Sequence, residues 1–257
     1  MKRGLGTAGF TIIETMVVLT VTAGLFMAIV LSQRGQHNRD FELAANDFKS
    51  QLVTEISNVQ QGYFPSMGNF KCEAMGNTVQ ITPGAAAEGT NGDCVYLGDI
   101  MQFLPGNSST NDKYTLYPVA GLRTATTLAS ASPTTIPSSA TTVELDGNLH
   151  IAAVKAGAGN VGALGFFSGL GTISHDTVYT SGTQTIATYP ITGSSLGSPS
   201  GLTTANIKNS TPLTSSGAKI CLQAGRASEW GLITISGASG GTLDVTLDIM
   251  TTANCGL

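Results

Sequence analysis

Hydrophobic and polar positions along the 257-residue chain change character three times. Residues 10–31 are all apolar or small except Glu14, and at ~1.5 Å per residue these 22 positions cover roughly 33 Å, enough to cross a bilayer. Beyond them, Phe41, Ala45, Phe48, Leu52, Ile56 and Val59 recur at spacings of 4, 3, 4, 4 and 3, the stripe of an amphipathic helix. Glu42, Asp47, Lys49 and Glu55 fall on its other face, and Gly62 and Pro65 close it. The two patterns predict one continuous helix from about residue 10 to 61, some 78 Å at ~1.5 Å per residue, with Gly24 and Gly35 as soft points. Its outer half (32–62) needs something to cover the stripe.

From residue 63 onward the period becomes that of strands. Leu243-Asp244-Val245-Thr246-Leu247-Asp248-Ile249 alternates apolar and polar residues without a break. Lys219-Ile220-Cys221-Leu222-Gln223 and Trp230-Gly231-Leu232-Ile233-Thr234-Ile235 read as two preceding strands, joined by turns at Gly225-Arg226 and at Gly237-Ala238-Ser239-Gly240-Gly241. Three successive strands predict an antiparallel meander whose apolar face receives the helical stripe. Two segments, about 106–142 and 177–217, are dominated by Ser and Thr. Because Tyr114, Leu116, Tyr117, Val178, Tyr179, Ile186 and Tyr189 interrupt them, they are expected to form elaborated surface loops with short strands. The predicted fold class is α+β: a long N-terminal helix packed on the antiparallel sheet of one β-rich head, 63–257.

Glu14 is the residue in the apolar run that needs explaining. A carboxylate in lipid costs on the order of 3 kcal/mol at mid-membrane, so it calls for a cation. Lys2 and Arg3 ahead of the apolar run place the N-terminus in the cytoplasm and the rest outside. Leu31-Ser32-Gln33-Arg34 offers no convincing cut for an ordinary secretory signal. Cutting after Ala8-Gly9 instead removes a short leader (1–9), keeps the helix, and creates an α-amine on Phe10, four residues before Glu14 and so close to one helical turn away. The simpler alternative is a signal anchor whose Glu14 is tolerated near one interface.

Gly9-Phe10-Thr11-Ile12-Ile13-Glu14, placed after a short basic leader, is similar to the start of type IV prepilins and of the pseudopilins of type II secretion. The resemblance covers about the first thirty residues. It implies a pilin-like architecture, cleavage between Gly9 and Phe10 by a prepilin peptidase, and N-methylation of Phe10. It also implies that Glu14 neutralises the Phe10 amine of a neighbouring subunit as helices stack into a filament. The partners it implies are other pilin or pseudopilin subunits, an inner-membrane assembly platform, and lipid before assembly. The strand at Ile220-Cys221-Leu222 followed by Gly225-Arg226 is loosely similar to the end of minor pseudopilins of the H type, which favours a minor subunit.

Cys72, Cys94, Cys221 and Cys255 all come after the membrane segment, on the exported side, where an even count suggests two disulfides. Three connectivities remain open. The sequence-local one, Cys72 with Cys94 and Cys221 with Cys255, is favoured, and by the resemblance the second bridge staples the C-terminal tail as in many pilins. Free buried thiols are the alternative, and no Cys/His cluster points to a metal.

Several catalytic patterns carry little weight. Gly157-Ala158-Gly159-Asn160-Val161-Gly162 fits GxGxxG after the strand-like stretch from Ile151 to Val154, with Asp176 downstream. The next stretch, Ala163-Leu164-Gly165-Phe166-Phe167-Ser168-Gly169, is too glycine-rich for a phosphate-binding helix. Gly193-Ser194-Ser195-Leu196-Gly197 fits GxSxG, yet no histidine lies beyond His175. His37, His150 and His175 are scattered, and Asp244 and Asp248 are read as a solvent-facing row rather than a calcium site. Asn107-Ser108-Ser109 and Asn209-Ser210-Thr211 are formal glycosylation sequons. Losing the leader takes two of 12 basic side chains, leaving 10 against 16 acidic ones, the opposite of a nucleic-acid footprint.

These readings converge on an exported, non-enzymatic structural subunit, a minor pilin of a type IV pilus or related filament, with no cofactor. A type II secretion pseudopilin and a membrane-anchored adhesin that never polymerises are the alternatives. A membrane-tethered enzyme is the third, and would need a pocket joining distant histidines and carboxylates.

Overall fold

The computed structural model describes residues 12–62, 70–84, 94–104, 111–125, 127–157, 159–168, 186–199, 201–213, 217–224, 229–236, 243–251 and 255. Helix α1 runs Ile12–Gln60, 49 residues, about 73 Å at ~1.5 Å per residue. It stops where the glycine signal predicts. Gly62 takes φ 67°, a left-handed conformation that costs glycine nothing, and donates its N–H to the Val59 carbonyl at 3.0 Å.

The strands are β1 Phe70–Met75, β2 Thr78–Pro83, β3 Cys94–Leu104, β4 Lys113–Leu122, β5 Thr134–Thr135, β6 Thr141–Glu144, β7 Leu149–Ala156, β8 Gly159–Asn160, β9 Ala163–Ser168, β10 Ile186–Pro190, β11 Ala218–Ala224, β12 Trp230–Ile235 and β13 Val245–Met250. A short helix α2, Thr204–Lys208, lies between β10 and β11. Every pairing is antiparallel. They form a β1–β2 ribbon, a six-stranded sheet ordered β10-β9-β3-β4-β5 with β6 also on β4, and a five-stranded sheet ordered β13-β12-β11-β7-β8.

This overturns the expected α+β, pilin-like layout of a long helix on one sheet. Strand takes 43% of the described residues and helix 29%, in three sheets. The predicted meander exists as β11, β12 and β13, but it is only part of one sheet. The stripe of α1 packs into a core that both larger sheets share. Phe41, Phe48, Leu52 and Ile56 sit in one cluster with Phe103, Tyr114 and Phe166 of the six-stranded sheet and with Ile151, Ile220 and Ile233 of the five-stranded one. All six stripe residues are buried. At about 1.5–3 kcal/mol for each large apolar side chain removed from water, this stripe holds the helix to the head.

The six-stranded sheet is covered on its other face as well. Leu97, Ile100, Val119 and Phe167 pack there with Leu128, Ile191 and Ile207, which come from the segments flanking β4 and β10 and from α2. Its central strands β3, β4 and β9 therefore carry no polar alternation. The Ser/Thr-rich segment 106–142, expected to be elaborated surface loop with short strands, supplies the ten-residue β4, which pairs with β3 along its whole length. At Gly98 (φ 144°) β3 is irregular, and an added Cβ would lie 1.9 Å from the Phe166 carbonyl oxygen, so only glycine lets β3 and β9 approach there.

Candidate anchoring and assembly surface

Residues 12–30 of α1 are exposed along their whole length. The stretch Ile12–Val30 is 19 residues long, has a mean hydropathy of 2.1 and is 0% buried, so it is long and apolar enough to cross a membrane. Its polar groups suit that environment. The hydroxyls of Thr20 and Thr22 donate to the Val17 and Val18 carbonyls at 2.9 and 2.8 Å, and Thr15 donates to Ile12 at 2.8 Å, so none needs water as a partner.

Glu14 lies in the first turn of α1, exposed, on one face with Val18, Val21 and Leu25 at spacings of 4, 3 and 4. Gly9 and Phe10, the residues proposed for processing, lie outside the described residues, as do His175, Asp176 and the sequon at Asn107.

The cysteines pair as Cys72–Cys94 and Cys221–Cys255, with Cα separations of 6.2 and 5.8 Å. The first ties the β1–β2 ribbon to the start of β3. The second ties the tail, at the buried Cys255, to the centre of the five-stranded sheet. The chain-entropy model gives each loop, of 22 and 34 residues, roughly 3 to 4 kcal/mol.

The catalytic patterns dissolve into structural turns. Gly157 closes the β7–β8 hairpin with φ 61°, and Gly159 is the first residue of β8. The next described element is strand β9, where a phosphate-binding helix would be needed. In GxSxG, Ser195 is exposed in a turn segment. The buried Ser194 accepts the Gly162 N–H at 3.1 Å and donates to the Ile191 carbonyl, a strap fastening rather than an elbow. His150 shares a 3.1 Å hydrogen bond with Gln223 across the β7–β11 pair. Asp248 and Asp244 are exposed at the β13 edge, and Asn209 is exposed just after α2. Among the described residues no three His, Cys, Asp or Glu side chains gather as a metal site. A cavity of about 300 Å³ opens between the ribbon, the segment after β4 and α2, lined by Asn77, Thr124, Ser130 and Lys208 over Leu122 and Ala125. Among the described residues Lys208 is its one titratable lining residue.

Sequence reasoning missed a buried acidic group. Asp99 on β3 is 4% exposed and accepts a hydrogen bond from the Tyr96 hydroxyl. Burial pushes its carboxyl up to about 6; the Tyr96 hydrogen bond opposes this, and the nearby Glu55 of α1 adds to it. Burial also raises Glu55, offset in part by its hydrogen bond from Asn58. Tyr96 is raised as well, by burial first and then by the charges of Asp99 and Glu55. The Tyr96–Asp99 spacing is visible in the chain. The approach of Glu55 is not, because it depends on how α1 lies over the sheet.

No protein-family model, no curated protein and no solved structure matches the chain.

Proposed function

We propose that the chain is a structural subunit, of the minor-pilin kind, of an extracellular or periplasmic filament, held in the cytoplasmic membrane by α1 before assembly with its head exported. The observation that carries this is Glu14 in the first turn of an uncovered apolar half-helix, directly after Gly9-Phe10-Thr11. Cleavage between Gly9 and Phe10 by a prepilin peptidase puts an amine one helical turn from the carboxylate. On stacking, lipid contacts of α1 are exchanged for contacts between helices, and the amine of one subunit meets the Glu14 of another. The continuity of α1 into the head supports the reading, since a filament built through residues 12–30 then carries every head at a fixed offset. Two disulfides suit an exported head.

The test is made in cells holding the assembly machinery. Intact mass should give a chain beginning at methylated Phe10, and Glu14→Ala should insert normally while losing incorporation into filaments. Filaments that take up Glu14→Ala at the wild-type level would sink the proposal, and a mature chain retaining Met1 would remove it from the class.

A further inference from the structure

The head has a rim turned toward the membrane end of α1, and the chain's single tryptophan stands on it. Two contacts fix its level. The Asn38 side-chain amide donates to a Glu229 carboxylate oxygen at 3.2 Å, and a methyl placed on Gly231 would meet the Phe41 ring at 3.3 Å. Across the same sheet, a methyl on Gly147, just before β7, would lie 3.1 Å from the Ala44 methyl and 3.6 Å from the Asp40 carbonyl. The starts of β7 and β12 and the end of β13 therefore lie against the first turns of the head-bearing part of α1. In the β12–β13 register Trp230 faces Met250 and Gly231 faces Ile249. Trp230 and Met250 are only half-buried, and Ile249 is 36% exposed although its alternating position assigns it to the inner face.

From Val30, the last residue of the span Ile12–Val30, to Asn38 is eight residues, about 12 Å along a helix. The headgroup layer extends roughly 5 to 8 Å beyond the hydrocarbon on each side. A tilt of about 20° and the reach of an indole ring close the remaining few ångströms. Tryptophan is the side chain best suited to that layer, with an apolar body and a polar N–H. Among the described residues the charged groups nearby are of both signs, Arg39 on α1 against Asp40, Asp146, Asp248 and Glu229, which favours a zwitterionic surface over an anionic one.

We propose that Trp230, Ile249 and Met250 form a lipid-docking rim that seats the head on the outer headgroup layer while α1 is in the bilayer. The inference rests on the reading of Ile12–Val30 as a membrane span.

The test reconstitutes the full chain in phosphatidylcholine vesicles. Flotation reports insertion, and Trp230, the sole tryptophan, reports depth. Bromine placed on the acyl chains near the headgroups should quench Trp230 emission, and bromine near the bilayer centre should quench it less. Ile249→Glu should float equally, keep both disulfides and lose most of the shallow quenching. A chain that floats but emits equally with brominated and plain lipid overturns the rim and leaves the span standing. So does quenching unchanged by Ile249→Glu. A chain that does not float overturns the span and the rim together.

Discussion

Asp99→Asn should stabilise the head at neutral pH and flatten its response to acid. Asp99 sits on β3 beside the glycine-dependent irregularity, 4% exposed, with the Tyr96 hydroxyl as its hydrogen-bond donor and a second carboxylate, Glu55, approaching from α1. Its carboxyl titrates at about 6 in the folded chain against 3.8 as a free side chain. A folded value above the unfolded one means that the folded state holds its proton more tightly. Stability from this group is therefore complete below about pH 4 and is lost as the pH rises from there to about 6. The shift amounts to about 3 kcal/mol of destabilisation at pH 7, of which acidification to pH 5 restores about 1 kcal/mol. Glu55, raised mainly by burial, acts with the same sign.

Asparagine removes the charge and retains an oxygen for the Tyr96 hydroxyl, but its new amide needs an acceptor, so the expected gain at pH 7 is about 1 to 3 kcal/mol. The assay is thermal or urea unfolding of the full chain in detergent micelles at pH 5 and pH 7, with and without the substitution. Wild type should be more stable at pH 5 than at pH 7, and the variant should narrow that gap from the pH 7 side. If Asp99→Asn is less stable at pH 7 and keeps the wild-type pH response, the carboxylate is well solvated by its neighbours and the reasoning from burial and Glu55 is wrong.

Two other perturbations test the packing of α1 and the tail. Leu52→Ala, at 0% exposure in the core shared by α1 and both large sheets, should cost about 2 to 5 kcal/mol and leave flotation with vesicles unchanged, since the membrane half of α1 is a separate surface. Replacing Cys221 and Cys255 together by serine should cost about 3 to 4 kcal/mol and speed proteolysis of the C-terminal tail, read by mass spectrometry of limited digests, while Cys72–Cys94 stays formed.

Within the head and the part of α1 packed on it, the segments that can be read from sequence share a physical property: each has one covered face and one open face. The α1 stripe was visible because Leu43, Asn46, Ser50 and Val53 stay exposed on the side opposite Phe41, Phe48 and Leu52. β12 alternates between buried and half-buried positions along its whole length, and β13 carries the polar row of Thr246 and Asp248, so both announced their period. The six-stranded sheet had no such face to show. β9 is buried at all six positions and β3 at seven consecutive ones, because α1 and the five-stranded sheet cover one side and the segments around α2 the other. A strand sealed on both faces leaves a composition and no period, which is why β3 is not legible in the sequence. In β4, Ser/Thr content conceals the strand's length and burial: Thr115 is buried and satisfied by a 2.9 Å hydroxyl contact with Thr142 of β6, so a polar residue belongs to a strand pair inside the head. Asp99 stayed hidden for a related reason, since its environment is made by Glu55, 44 positions earlier, only once the helix is docked. Exposure is thus what makes a segment legible, and the exposed apolar half of α1 with Glu14 in its first turn is both the plainest pattern in the chain and the surface on which its proposed function depends.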